Sequence, residues 1–195
     1  MTREAFLTPG KILQAAEEVL RKFGPEKATV VDVARALGVT HGSVYRHFPS
    51  KAALRDAVVA RWLESLLVPL SRIADGTEAA PARLRRWVET LAAAKQGGMR
   101  REPELFATYF RLADEAREVV AHHVAAMLGQ LARIVADGVA EGSFRAVDPQ
   151  ASARAILDAT ARFHHPAHAA SWADPVFGPG PFDDVWDLVE RGLKA

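Results

Sequence analysis

Apolar residues recur along this chain at helical spacing, and no stretch alternates as a half-buried strand requires. Thr8-Pro9 is a start signal, a capping hydroxyl followed by proline at the first helical position. Ile12, Ala15, Ala16, Val19, Leu20 and Phe23 then make one stripe, which Gly24-Pro25 should stop. A second helix is predicted from about Thr29, with Val30, Val33, Ala34 and Leu37 on one face and Gly38 at its end. A short third begins at Thr40, and Ser50 caps a long fourth through KAALRDAVVARWLESLLVPL. Beyond residue 76 the pattern predicts helices over 80–95, from near Pro103, and over 116–141, 149–164 and 182–194. A loop rich in proline and glycine, HPAHAASWADPVFGPGP, precedes the last of them. The fold class is all-α, divided into a three-helix module at 1–48 and a larger helical body at 49–195, with the long helix joining them.

Composition narrows the class. Hydrophobic residues make up 49% of the 195, enough for a buried core and too many for disorder. With no cysteine, disulfide frameworks and thiolate metal sites are excluded. The first thirty residues hold no apolar core after a basic start, and no run reaches the roughly eighteen apolar residues of a membrane span. A cytoplasmic protein is expected. Net charge is +1, but it is unevenly spread. Residues 27–61 carry six bases (Lys27, Arg35, Arg46, Lys51, Arg55, Arg61) against two acids (Asp32, Asp56), a balance of +4. Residues 62–195 carry fifteen bases and eighteen acids, a balance of −3. A basic N-terminal segment on a mildly acidic body fits a chain that touches nucleic acid at one end.

The basic segment contains GVTHGSVYRHFPSK, which sets Gly42 among hydrogen-bonding and basic side chains. A helix that ends at Gly38 and a short one that starts at Thr40 make a helix-turn-helix, whose second helix can enter the DNA major groove. Val39, Val44 and Phe48 have the spacing to pack inward on Val33, Ala34 and Leu37. Thr40, His41, Gly42, Ser43, Tyr45, Arg46 and His47 are left to face outward, as donors and acceptors suited to base edges and phosphates. Glycine costs up to about 1 kcal/mol of helix propensity relative to alanine. That cost makes sense where the backbone must come close to DNA; the alternative is an incidental glycine on a surface helix.

TVVDVARALGVTHGSVYRHFPSKAALRDAV, residues 29–58, closely resembles the DNA-binding segment of the tetracycline-repressor (TetR) family of bacterial regulators. The Ala-x-x-x-Gly-Val-Thr turn, the Gly-x-x-Tyr-x-His-Phe recognition helix and the following Lys-x-x-Leu stand at family spacing. The resemblance implies that Thr29 bonds a phosphate and that Thr40, His41 and Ser43 read bases. It also implies that Tyr45 and His47 grip one strand's backbone, with Arg46 facing the same region, and that Lys51 meets a phosphate. Ala53 departs from the pattern, because many relatives carry an acid there that completes a capping box with the Ser50 equivalent.

In the body, Ile156, Ala159 and Phe163 line one helix face, and Phe182, Val185, Trp186, Val189 and Leu193 another. Two such faces per chain can pair across a two-fold axis as a four-helix bundle, and the resemblance implies such a homodimer on a palindromic operator. The same faces can instead complete the monomer's own core. Between module and dimer helices lie Trp87, Leu91, Phe106, Tyr109, Phe110, His123, Met127 and Leu131, joined by Phe163. These read either as core or as the walls of an inducer pocket, the role the resemblance implies, with Tyr109 or His123 as polar members. The inducer is a small apolar molecule of unspecified identity; no cofactor is expected.

His122-His123 and the run His164, His165, His168 raise the question of a metal. Pro166 interrupts the latter, and no metal ligand is assigned. A helical metal-dependent hydrolase would lack a recognisable nucleophile or a His-Glu-x-x-His motif. The sequence therefore reads as a DNA-binding regulator and not an enzyme, most simply a repressor released by its ligand. A DNA-binding factor without a ligand is the alternative.

Overall fold

The computed structural model describes residues 7–174, 178 and 180–195, and these form an all-α protein. Its helices are α1 (Pro9–Lys27), α2 (Val30–Leu37), α3 (His41–Tyr45), α4 (Lys51–Ala74), α5 (Ala80–Arg101), α6 (Pro103–Glu115), α7 (Arg117–Ala140), α8 (Pro149–Ala159), α9 (Ala161–His164) and α10 (Phe182–Leu193). A 3-10 turn, Pro166–Ser171, follows α9. It lies within the loop expected before the last helix; Pro175, Val176, Phe177 and Pro179 of that loop fall outside the described residues.

The ends follow from local chemistry. Thr8 Oγ1 accepts the Lys11 N–H at 3.3 Å and starts α1. At Gly24 the backbone turns to φ 72°, which breaks the helix where the sequence predicts, and Pro25 opens one further turn to Lys27. Phe23, at the end of the predicted stripe, is 43% exposed and takes no part in the core. α5 runs a turn and a half past its expected end at residue 95. The single helix expected over 149–164 is instead two. Thr160 Oγ1 donates to the Ile156 carbonyl at 2.8 Å, a back-bond of the kind that bends helices, and α9 begins after it.

The chain divides into two compact units. Unit 1 consists of Met1–Leu63 with Glu102–Ala121, so α6 and the start of α7 join the helix-turn-helix. The sequence instead places these residues in the body. Their reason for joining is apolar. Phe106 and Tyr109 of α6 are each 6% exposed, and Trp62 stacks on Tyr109 with centroids 4.9 Å apart. Unit 1 also buries Ile12, Val33, Val44, Val58 and Val59. Arg55 bonds Asp56 at 2.9 Å and pairs with Glu115, tying α4 to the end of α6.

Unit 2 consists of Glu64–Arg101 with His122–Ala195. Its core gathers Leu84, Trp87, Leu91, Leu131, Ile134, Val135, Phe144, Ile156 and Trp186. Arg83, 4% exposed, donates to Asp137 at 2.9 Å and to the Ala74 and Glu78 carbonyls at 2.8 Å each. Its guanidinium thereby satisfies the last carbonyl of α4. α7 is long and apolar enough to cross a membrane by length and composition alone. Its Leu131, Ile134 and Val135, however, are fully buried in unit 2, the pattern of a core helix.

The core takes up the inner members of the expected dimer face. Ile156 and Phe163 are 3% exposed and Trp186 2%, all covered by their own chain. Phe182 bridges Phe163 at 5.2 Å and Trp186 at 5.7 Å between centroids. Phe182, Val185 and Val189 are half-buried, and Ala159 is open. The large apolar residue that α10 presents most fully to solvent is Leu188, 71% exposed and outside the predicted stripe. Both stripes exist at helical spacing; their inner members close the monomer and their outer members stay accessible.

Candidate nucleic-acid interface

Gly38 ends α2 with φ 66° and ψ 36°, the left-handed conformation that glycine adopts freely, and its N–H returns to the Ala34 and Arg35 carbonyls. Two residues later Thr40 caps α3, its Oγ1 accepting the Ser43 N–H at 3.2 Å. Val44, fully buried, pins the short helix to unit 1. The sequence thus sets both the tight turn and the face of α3 that is left outside.

Thr40, His41, Gly42, Tyr45, Arg46 and His47 are exposed, as predicted. His41 and Tyr45 meet edge to face, with ring centroids 6.3 Å apart. Ser43 corrects the expectation: it is 1% exposed. Its hydroxyl lies 2.8 Å from Thr40 Oγ1 and accepts from Arg46 Nη2 at 3.3 Å. A buried hydroxyl held in this way orients Thr40 and Arg46 and lacks the open face that base reading needs.

Gly42 has helical backbone geometry, and a Cβ added there would meet only Thr40 Oγ1, at 3.8 Å. Neither conformation nor internal packing therefore calls for glycine at this position. The space it leaves opens outward.

Two helix starts flank α3. At α2, Thr29 is exposed, but its hydroxyl donates to Asp32 Oδ2 at 2.5 Å and accepts the Asp32 N–H at 3.2 Å. The Thr29 hydroxyl bond, followed by its backbone N–H and by Arg35, holds the Asp32 carboxyl below its ordinary range. A phosphate approaching Thr29 would compete with that carboxylate. At α4, Ser50 Oγ accepts the Ala53 N–H at 3.0 Å, the first turn holds no acid, and Lys51 is exposed. A helix start without a carboxylate carries uncompensated positive dipole toward an anion. The departure at Ala53 thus favours a phosphate here.

The eight expected ligand residues are not gathered in one unit. Phe106, Tyr109 and Phe110 belong to unit 1, and Trp87, Leu91, His123, Met127 and Phe163 to unit 2. Burial pushes the Tyr109 hydroxyl up to about 12. Unit 1 has a half-open groove of about 540 Å³ between α1, α2, α4 and α6, with Leu20, Val33, Leu54 and Leu112 among its walls. None of the eight lines it.

In the histidine run His165 and His168 meet edge to face, with ring centroids 6.3 Å apart, and His164 turns elsewhere. His164 is buried beside Thr160, with Nε2 3.2 Å from Oγ1, while His165 Nδ1 accepts the Ala167 N–H at 3.2 Å. Among the described residues no group of three His, Cys, Asp or Glu side chains could hold a metal ion. Among the buried polar groups that the sequence reading misses is Lys95, 6% exposed. Its signal is plain in retrospect: with Trp87 and Leu91 it forms an i, i+4, i+8 row on α5.

The family profile "Bacterial regulatory proteins, tetR family" matches residues 12–58. A second, "Tetracyclin repressor-like, C-terminal domain", matches residues 80–186, more than half of the chain. Nucleoid occlusion factor SlmA of Vibrio cholerae is 34% identical over 84 residues, 43% of this chain and 43% of that protein. HTH-type transcriptional regulator TtgR of Pseudomonas putida is 41% identical over 56 residues, 29% of this chain and 27% of that protein. The chain thus matches less than half the length of these curated relatives. Among solved structures, SmeT, the repressor of the Stenotrophomonas maltophilia multidrug efflux pump SmeDEF, superposes with a TM-score of 0.67 at 20% identity. That match covers 98% of this chain and 93% of SmeT, and at that identity it shows the fold.

Proposed function

This chain belongs to the tetR family of bacterial regulatory proteins, and from that premise we propose that it is a sequence-specific transcriptional repressor. It acts in the cytoplasm as a dimer on a palindromic DNA operator and leaves it when a small apolar ligand binds. It is a regulator and not an enzyme. The observation that carries this reading is Gly42, a helical glycine that the fold itself does not need, placed among exposed hydrogen-bonding and basic side chains.

In this reading Thr40 and His41 meet base edges, and Tyr45 and His47 grip one strand's backbone. Arg46, tethered to Ser43, faces the same groove, and Lys51 with the start of α4 holds a phosphate. Two copies pair through the outward sides of α8 and α10, around Leu188 and Ala159. Pairing sets two recognition helices on half-sites about one DNA turn apart. The ligand sits in unit 2 and weakens DNA binding to the extent that it prefers the DNA-incompetent state, typically by about 5–150-fold. α4 and α7, each continuous through residues of both units, are the covalent routes for that coupling.

A DNA-binding factor without a ligand is the second reading, favoured by the likeness to a nucleoid occlusion factor. DNA affinity indifferent to every compound the protein binds would select it.

Lys51→Ala tests the DNA contact. Each phosphate neutralised contributes about 0.9 to the slope of log affinity against log salt concentration. The variant is expected to bind all duplexes more weakly and to lose about one phosphate from that slope. An unchanged slope in fluorescence anisotropy titrations would remove Lys51 from the interface.

A further inference from the structure

Three hydrogen bonds set the register of α5 against α7 inside unit 2. The Ala80 N–H donates to Glu141 Oε2 at 3.2 Å, Arg83 Nη2 to Asp137 Oδ2 at 2.9 Å, and Trp87 Nε1 to Gln130 Oε1 at 2.8 Å. As residue numbers rise on α5 they fall on α7, so the helices run antiparallel. One turn further, Leu91 comes level with Met127. Another turn brings Lys95 level with His123. From α9, Phe163 accepts from Gln96 Nε2 at 2.9 Å, which sets His164 at the same level.

The result is a polar cluster in an apolar interior. Lys95 and His123 are 6% exposed and His164 5%. Burial lowers Lys95 to about 8, so its ammonium persists at neutral pH. Burial first, and then the charge of Lys95, lower His123 and His164 to about 4, so both imidazoles are neutral there. His164 is occupied by Thr160. His123 is not: neither Nδ1 nor Nε2 has a hydrogen-bond partner among the described residues. A buried polar group left unsatisfied is costly and uncommon in native proteins.

We propose that Lys95 and His123 form the recognition site for the carboxylate of an apolar acid, whose hydrocarbon part would pack against the neighbouring Trp87, Leu91 and Met127 of the core. This rests on the ligand-responsive reading above and names the ligand's chemical class. The ammonium offers one positive charge, and the imidazole N–H offers one directed hydrogen bond, which together match a monoanion with two acceptor oxygens. A metal ion is disfavoured by the ammonium. A phosphate dianion would leave charge uncompensated.

The test titrates the full-length protein with decanoate and 2-naphthoate, and with decanol and 2-naphthol as uncharged counterparts, by calorimetry and thermal shift. The acids should bind about tenfold or more tightly than the alcohols, the worth of one charge-assisted contact. Lys95→Met should erase that preference while alcohol binding persists, and Lys95→Arg should keep it, which guards against a folding defect in the first variant. His123→Leu should weaken acid binding alone. Equal binding of acids and alcohols, binding of neither, or acid preference surviving in a folded Lys95→Met protein would overturn the site. Acid binding that leaves DNA affinity unchanged would overturn the effector reading and leave the site standing. DNA release by the alcohols alone would do the reverse.

Discussion

Gly42→Leu is expected to abolish specific DNA binding while the protein stays folded. The added Cβ meets no protein atom closely, the nearest being Thr40 Oγ1 at 3.8 Å, and the position is exposed. Leucine is also the better helix former, by just under about 1 kcal/mol, so thermal stability should hold or rise. On the outer face the same atoms would occupy the space between Thr40, His41 and Tyr45, where the backbone is to approach DNA. Losing the whole specific increment over random duplex amounts to about 10³–10⁷-fold. A gel shift with the variant and a circular dichroism melt separate the two effects. A variant that binds its operator like the parent would show that the glycine serves no close approach.

The second large effect is a loss of stability in mild acid. His123 and His164 are held neutral at about 4 in the folded protein, against 6.5 for an ordinary imidazole. The causes are burial and then the charge of Lys95, with His165 and His168 adding to it at His164. In the unfolded chain both take up protons as pH falls through 6.5, whereas the folded protein cannot until about 4. Their contribution is therefore complete above pH 6.5 and is lost progressively between 6.5 and 4. At 1.36 kcal/mol per pKa unit, each imidazole accounts for about 3 kcal/mol across that window. Two of them are comparable with the total stability of a small domain, about 5–15 kcal/mol. Urea denaturation at pH 7.5, 6 and 5 should show a falling midpoint for the parent and a much flatter one for a His123→Leu, His164→Asn double variant. Equal losses in both proteins would place the acid sensitivity elsewhere.

These expectations rest on features that were unequally legible in the sequence. The turn was legible because its determinants are local: Gly38 takes a left-handed conformation, Thr40 caps the next helix, and Val44 is the one aliphatic residue on α3. Ser43 was misplaced because a five-residue helix is too short for periodicity to fix its inner face. The hydrogen bonds to Thr40 and Arg46 turned Ser43 inward. The stripes on α8 and α10 are legible as apolar, but their inner members, Ile156, Phe163 and Trp186, are covered by the same chain. Spacing shows which face is buried, not whether the covering atoms come from the same chain. Lys95 was lost for another reason: a lysine at the end of an amphipathic row ordinarily snorkels to water. Only the tertiary register of α5 with α7 shows that this one stays inside.

The central claim is sequence-specific DNA recognition by a paired α3, and selection from a pool of random-sequence duplexes at physiological salt tests it most directly. The account predicts enrichment of a palindrome whose half-sites lie about one helical turn apart, bound by two copies of the chain and not enriched by Gly42→Leu. A pool that stays random after repeated rounds, with binding that depends on salt alone, would contradict it.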